Sequence, residues 1–214
     1  MKFNLLNNGV DSLKASYDSL RKIDDLAEGV EHNIKDTIMY LNHANEILFK
    51  LILKNQREYL MFEDISLYMK AKSTMLQKQK SNVLEVNPKL KTVSFSSALK
   101  RIELLCDIAI SEKFKGALEY LNQNRNQIMH YEIELQDNDV QILVDKLKIC
   151  HNLSIEFFNK HLQGIDVLME ASRFELTVQE YMDGMGQYAA EIDAEDSYID
   201  YIEGANEDLG EGKW

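Results

Sequence analysis

The sequence predicts an all-α fold, and three observations carry that expectation. One proline and nine glycines in 214 residues leave few points at which a helix must stop. Apolar residues recur in steps of three and four along most of the chain, the period of one helix face. No stretch has the apolar–polar alternation of a half-buried strand. The expected architecture is a bundle of about five helices over residues 1–164, followed by an acidic C-terminal extension, helical and then mobile, over residues 165–214.

Val10, Leu13, Tyr17, Leu20, Ile23 and Leu26 outline a first amphipathic helix of about 20 residues. A second runs from Asn33 to Asn55, with Ile34, Ile38, Leu41, Leu48 and Ile52 on its apolar face. Residues 62–93 have weak periodicity and are broken at Asn87-Pro88, so they read as a connection. Ser94 or Ser96 can cap the next helix, through Ala98, Leu99, Ile102, Leu105 and Cys106. Ser111 with Glu112 opens another, through Phe114, Leu118, Leu121, Ile128 and Met129. Asp137-Asn138-Asp139 starts the last core helix, with Val140, Leu143, Leu147, Cys150, Leu153, Phe157 and Phe158 turned inward. From Phe174 the apolar positions Val178, Tyr181, Met185, Tyr188 and Ile192 keep a helical period opposite an acidic face. Residues 193–214, acidic and dotted with glycine, are expected to be mobile.

A hydrophobic content of 45% is ample for a core, and 28% charged residues suits a soluble domain. Cys106 and Cys150 form neither a CxxC motif nor a zinc-type pair with histidine, and read as buried thiols in a reducing compartment. The first eight residues lack the apolar centre of a signal peptide, and the apolar run Ile47–Leu53 is interrupted by Lys50. A cytoplasmic protein without a membrane partner is expected. The net charge of −12 argues against nucleic acid until it is mapped. Residues 1–164 carry 22 basic and 22 acidic residues, whereas residues 165–214 set 14 acids against Arg173 and Lys213. The acidity belongs to the last quarter, so a phosphate-binding body is allowed. Within residues 68–92, Lys70, Lys72, Lys78, Lys80, Lys89 and Lys91 face only Glu85. They suit a phosphate-tracking surface, or equally a solvated lysine-rich loop.

The chemistry-bearing stretch is Arg125-Asn126-Gln127-Ile128-Met129-His130. A guanidinium is a permanent charge able to hold a phosphate through two parallel hydrogen bonds. An imidazole titrates near neutral pH and can take or give a proton. On a helix Asn122, Asn126 and His130 form one polar stripe, and Arg125 lies about 140° around the axis from His130 at ~100° per residue. The Arg125 side chain is long enough to swing back toward the same groove, especially where the helix is irregular. The plainer alternative is a surface arginine and histidine with no shared task. His32, His151 and His161 lack metal-ligand spacing with carboxylates, so no metal and no cofactor is expected. Asn152-Leu153-Ser154 matches a glycosylation sequon but follows no secretory signal.

Arg125-Asn126, three variable positions and His130 resemble the signature of the HEPN domains (higher eukaryotes and prokaryotes nucleotide-binding), and the helical body over residues 8–163 resembles their bundle. The resemblance implies a metal-independent endoribonuclease of a toxin–antitoxin or phage-defence system, a homodimer that brings two motifs into one cleft, with RNA as substrate and an antitoxin or regulatory protein as partner. Arg125 would hold the scissile phosphate, and His130 would be the general acid or base in attack by the ribose 2′-OH. Asn126 takes the family's polar position. Glu46 is the candidate for the acid that supports the site from an early helix, although His43, Glu46 and Lys50 share a face and equally make an ordinary Glu–Lys pair. Some family members carry His-x-Tyr, whose tyrosine is modified with AMP. Here Tyr131 follows His130 directly and Glu132 stands in the second place, so that route of neutralisation is not implied. Tyr131 is left to pack or to stack on a base. The other two expectations for the chain are a non-catalytic nucleotide- or protein-binding dimerisation module and a helical scaffold. For the acidic extension, with Tyr181, Tyr188, Tyr198, Tyr201 and Trp214 interleaved, a solubilising role, packing on the body or a partner, and mimicry of nucleic acid all remain open.

Overall fold

The computed structural model describes residues 4–132 and 136–210, with side chains except at 137, 189–190, 193–194, 196 and 200–210. Among the described residues the fold is all-α, with eight α-helices and two 3-10 turns. They are α1 (Leu5–Asp25), α2 (Glu31–Gln56), α3 (Ile65–Gln77), α4 (Phe95–Leu105), α5 (Glu112–His130), α6 (Asp137–His161), α7 (Ile165–Ala171) and α8 (Val178–Gly210). Residues 1–173 form one compact unit and residues 174–214 a second.

The first unit is built around α2. That helix buries Ile34, Thr37, Ile38, Leu41, Ala44, Asn45, Leu48, Phe49, Ile52 and Leu53, so its sides are covered by neighbours rather than one stripe alone. It pairs with α1 as a helical hairpin, closed by a turn in which Gly29 adopts φ +75°. Gly9 of α1 permits the close approach: a Cβ there would lie 2.6 Å from Leu48 of α2. Phe49 is the hub on the other side. Its ring centroid lies 6.0 Å from Phe95 of α4, 6.2 Å from Phe114 of α5, and 5.4 and 5.1 Å from Phe157 and Phe158 of α6. Such a shared aromatic centre ties four helices into one core. Buried polar groups are satisfied locally. Ser154 of α6 donates to Asn45 Oδ1 at 3.0 Å, Asn45 donates to the Leu41 carbonyl at 2.8 Å, and His151 Nε2 lies 3.3 Å from the Leu13 carbonyl.

Two helices of this unit go beyond the five expected. Residues 62–93 contain α3, capped by Asp64, whose carboxylate accepts from Leu67 N–H at 2.9 Å. Tyr68, Ala71 and Met75 face inward, but Ile65, Leu67, Met69 and Leu76 lie exposed on other sides, so no single apolar stripe marks the helix. The connection is fixed to the bundle by Arg101, which donates to the Leu60 and Phe62 carbonyls at 2.7 Å each, and by one isolated β-bridge, Phe62 to Thr92. Helix α7 begins after Gly164, at φ +82°, and buries Ile165. The compact body therefore extends past residue 164 to Arg173, whose guanidinium lies 3.4 Å from Asp11.

Ser94 and Ser111 are N-caps, accepting from Ser97 and Phe114 N–H. Cys150 is buried, and burial pushes its thiol up to about 12. Cys106 is only half-buried, where α4 ends, which departs from the expectation of two buried thiols. In the second unit α8 continues to Gly210, so the stretch expected to be mobile from residue 193 is helical that far. Trp214 and the Tyr201 side chain lie outside the described residues. No helix among the described residues is long and apolar enough to cross a membrane.

Candidate functional site

Helix α5 changes character along its length. Its first half points Phe114, Leu118 and Leu121 into the aromatic core, and its second half is mostly polar. Asn122 marks the transition, accepting from Asn42 Nδ2 of α2 at 3.4 Å. An i, i+4 row drifts about 40° per step around a helix with 3.6 residues per turn. The stripe that begins at Asn122 on the α2 side therefore leaves that interface, and Asn126 and His130 are both exposed. The helix ends at His130, and Tyr131 N–H caps it by donating to the Gln127 carbonyl at 2.8 Å.

Arg125 is half-buried, and its Nη1 donates to Asn126 Oδ1 at 3.1 Å. It makes no ion pair among the described residues, and His130 makes neither an ion pair nor a hydrogen bond. The guanidinium leans onto Asn126, the middle residue of the Asn122–Asn126–His130 stripe. Within one chain the pair presents two faces of α5 rather than one cleft. Tyr131 is 87% exposed. It is left as an open aromatic face beside His130.

The other expected site residues lie elsewhere. Helices α2 and α5 run antiparallel, fixed by Asn42 beside Asn122 and Phe49 beside Phe114. At 1.5 Å per residue this register puts Glu46 about 18 Å along the axis from His130. Glu46 is instead bound to Lys50 at 2.6 Å, and the buried Lys50 ammonium also donates to Thr92 Oγ1 at 3.0 Å. This corrects the assignment of Glu46 as a supporting acid: it neutralises a buried lysine that anchors the chain ahead of α4. A lone buried ammonium is costly, which explains the carboxylate one turn away.

The lysines separate in the same way. Lys70 and Lys72 are on α3, Lys78 ends it, and Lys80 follows, all beyond the C-terminal end of α2. Helix α3 packs on the 3-10 turns at residues 58–61 and 83–85 rather than on α5. Lys72 is paired with Glu58 at 3.1 Å, while Lys70, Lys78 and Lys80 are exposed. Burial pulls Glu58 up, but the hydrogen bonds from Tyr68 and Lys72 and the Lys72 and Lys54 charges outweigh it and hold the carboxyl below its usual range. Burial, then the Glu58 contact, pushes Tyr68 up to about 12.

Two of the concavities among the described residues lie away from the motif. A groove of about 560 Å³ between α1 and α2 includes Asp18, Ser19, His32, Asp36, Tyr40 and Arg173. A second, of about 420 Å³ between α5 and α6, includes Gly116, Tyr120, Gln123 and Lys146, with the Lys146 ammonium 4.0 Å from the Tyr120 ring centre. Among the described residues no three His, Cys, Asp or Glu side chains gather as a metal site. The polar contact that sequence reasoning missed is Asn42. Its signal was an amide between Leu41 and Ala44 on a helix whose buried amides, Asn42 and Asn45 among them, must each find a partner.

No family model, curated protein or solved structure matches the chain.

Proposed function

We propose that the chain is a metal-independent endoribonuclease of the toxin–antitoxin or phage-defence kind, its site completed only when two copies meet. The observation that carries this is the placement of half-buried Arg125 with exposed Asn126 and His130 at the end of α5, neither Arg125 nor His130 being ion-paired to a carboxylate among the described residues. A cation and an imidazole in that state are available to a phosphodiester. Their placement on two faces of one helix makes a site from one chain incomplete. Two copies related by a two-fold axis would set Arg125 of each against His130 of the other, giving two equivalent composite sites.

In each, the guanidinium holds the non-bridging phosphate oxygens and offsets the charge that grows on them in the transition state. The imidazole removes the 2′-OH proton as that oxygen attacks phosphorus. The P–O5′ bond breaks, leaving a 2′,3′-cyclic phosphate and a 5′-hydroxyl once the leaving oxygen takes a proton. Tyr131, exposed beside His130, offers a face for a base to stack on. Single-stranded or looped RNA fits best, because its 2′-OH can reach the in-line position.

The test is RNA cleavage with EDTA present, comparing wild type with His130→Ala and Arg125→Ala and analysing the product ends. Cleavage that survives chelation, yields cyclic phosphates and falls by about 100-fold or more in each folded variant is expected. Intact RNA across tRNA, mRNA and structureless oligomers would reject the nuclease. A non-catalytic nucleotide- or protein-binding module is the second reading, favoured by the Arg125 guanidinium being engaged by the Asn126 amide oxygen. RNA retained on the protein yet uncut would select it.

A further inference from the structure

Helix α8 is 33 residues long, and its apolar positions fall in heptads. Val178, Met185, Ile192 and Ile199 recur every seven residues, with Tyr181 and Tyr188 three after the first two of them. This is the a/d spacing of a helix that packs along another helix. In α8 these side chains stay open to solvent: Val178 is 82% exposed, Tyr188 62%, Tyr181 55% and Met185 51%. The seam is broken at one place, Glu195, which stands at d in the third heptad, and an exposed apolar stripe of this length marks an interaction surface.

Charge selects what can cover it. Residues 174–210 contain eleven Asp and Glu and no Lys or Arg. Two α8 helices, with ten of these acids each, would set ten negative charges against ten when side by side, which disfavours pairing with the same helix of a second copy. RNA and an anionic lipid surface are repelled for the same reason. A small polyvalent cation would satisfy the charge but leave the seam bare. The occupant that meets both demands is a cationic amphipathic helix.

We infer that α8 docks a basic, amphipathic helix of a partner protein along the Val178–Ile199 seam, as a two-stranded helical pairing. The Tyr and Met side chains fill the partner's apolar stripe, and the Glu191 carboxylate, at a g position flanking the seam, meets its lysines and arginines, while the acids on the other faces of α8 add a long-range attraction. The inference stands on α8 alone and does not depend on the ribonuclease proposal.

The test uses the full chain and a synthetic peptide of four heptads, with leucine at a and d and lysine at e and g. A second peptide with glutamate at e and g is the control. Binding is followed by calorimetry, and self-association by light scattering. The lysine peptide should bind one to one, about tenfold or more weaker at 500 mM than at 50 mM salt. The glutamate peptide should not bind. Met185→Glu combined with Ile192→Glu should weaken binding at least tenfold, although it adds two charges that favour a cationic ligand. Gln179→Ala with Gln187→Ala, off the seam, should leave it unchanged. Absence of binding overturns the inference. So does equal binding by the double-glutamate variant, which would make the attraction charge alone. A dimer of the free chain that the same variant dissociates also overturns it and assigns the seam to a second copy.

Discussion

Helices α5 and α8 are written with the same apolar period and meet opposite fates. In α5 the spacing of Phe114, Leu118 and Leu121 places each side chain against Phe49 and its neighbours, and all three are at most 2% exposed. In α8 the spacing of Val178, Tyr181 and Met185 leaves each more than half exposed. A three-and-four period reports that a segment can be helical and one-sided. It does not report what lies against that side. The difference rests in the charge: the body balances its acids and bases, while α8 carries acids alone.

The sharpest way to break this contrast is by truncation of matched side chains. Phe49→Ala should cost about 3–5 kcal/mol in urea unfolding, because four aromatic neighbours lose their shared contact. Met185→Ala on α8 should stay within about 0.5 kcal/mol. Equal costs would mean that α8 is packed and that the two helices do not differ. Next in size is Gly9→Ala. With a Cβ 2.6 Å from Leu48, α1 must move away from α2, and a loss of about 1–3 kcal/mol is expected in the same unfolding assay.

A pH effect follows from His151 of α6. Burial lowers its pKa below the usual 6.5, with the Leu13 carbonyl opposing only in part. The unfolded chain therefore takes up a proton near pH 6.5 that the folded chain refuses until lower pH. Stability contributed by the neutral ring is full above pH 6.5 and declines as pH falls below it, by at most about 1.4 kcal/mol per pH unit. The midpoint of denaturation measured from pH 7.5 to 5.0 should show that decline, and His151→Gln should remove this component. The smallest effect is expected at the exposed lysines. Lys70→Ala, Lys78→Ala and Lys80→Ala together should leave the cleavage rate at saturating RNA unchanged, since α3 packs on the 3-10 turns rather than on α5. A rate that collapses would place them at the reacting phosphate and break the separation of the two surfaces.

Much of the fold was legible because local signals agreed with tertiary ones. Ser94 and Ser111 preceded clean apolar periods and do cap helices α4 and α5. Helix α3 escaped because Ile65, Leu67, Met69 and Leu76 surround it with apolar residues that no neighbour buries. Helix α7 is only seven residues long, too short for its period to stand out. For the candidate site, the sequence located Arg125, Asn126 and His130 on one helix, but not their directions. Those depend on Asn122 pairing with Asn42 and on Asn126 taking the guanidinium. Glu46 was misplaced for a related reason. Its shared face with Lys50 was readable, whereas the antiparallel register of α2 on α5, which carries it away from the motif, is a property of the packed bundle.

The most direct measurement is complementation between two inactive chains. Arg125→Ala and His130→Ala proteins are purified separately, then co-denatured and refolded together so that mixed dimers form, and assayed on RNA in EDTA. A site that takes its arginine from one copy and its histidine from the other has one intact centre in each mixed dimer. With half the dimers mixed, activity should return to about a quarter of wild type. Activity that stays at the level of either variant alone, while mixed dimers are present, would contradict a site shared between two copies of α5.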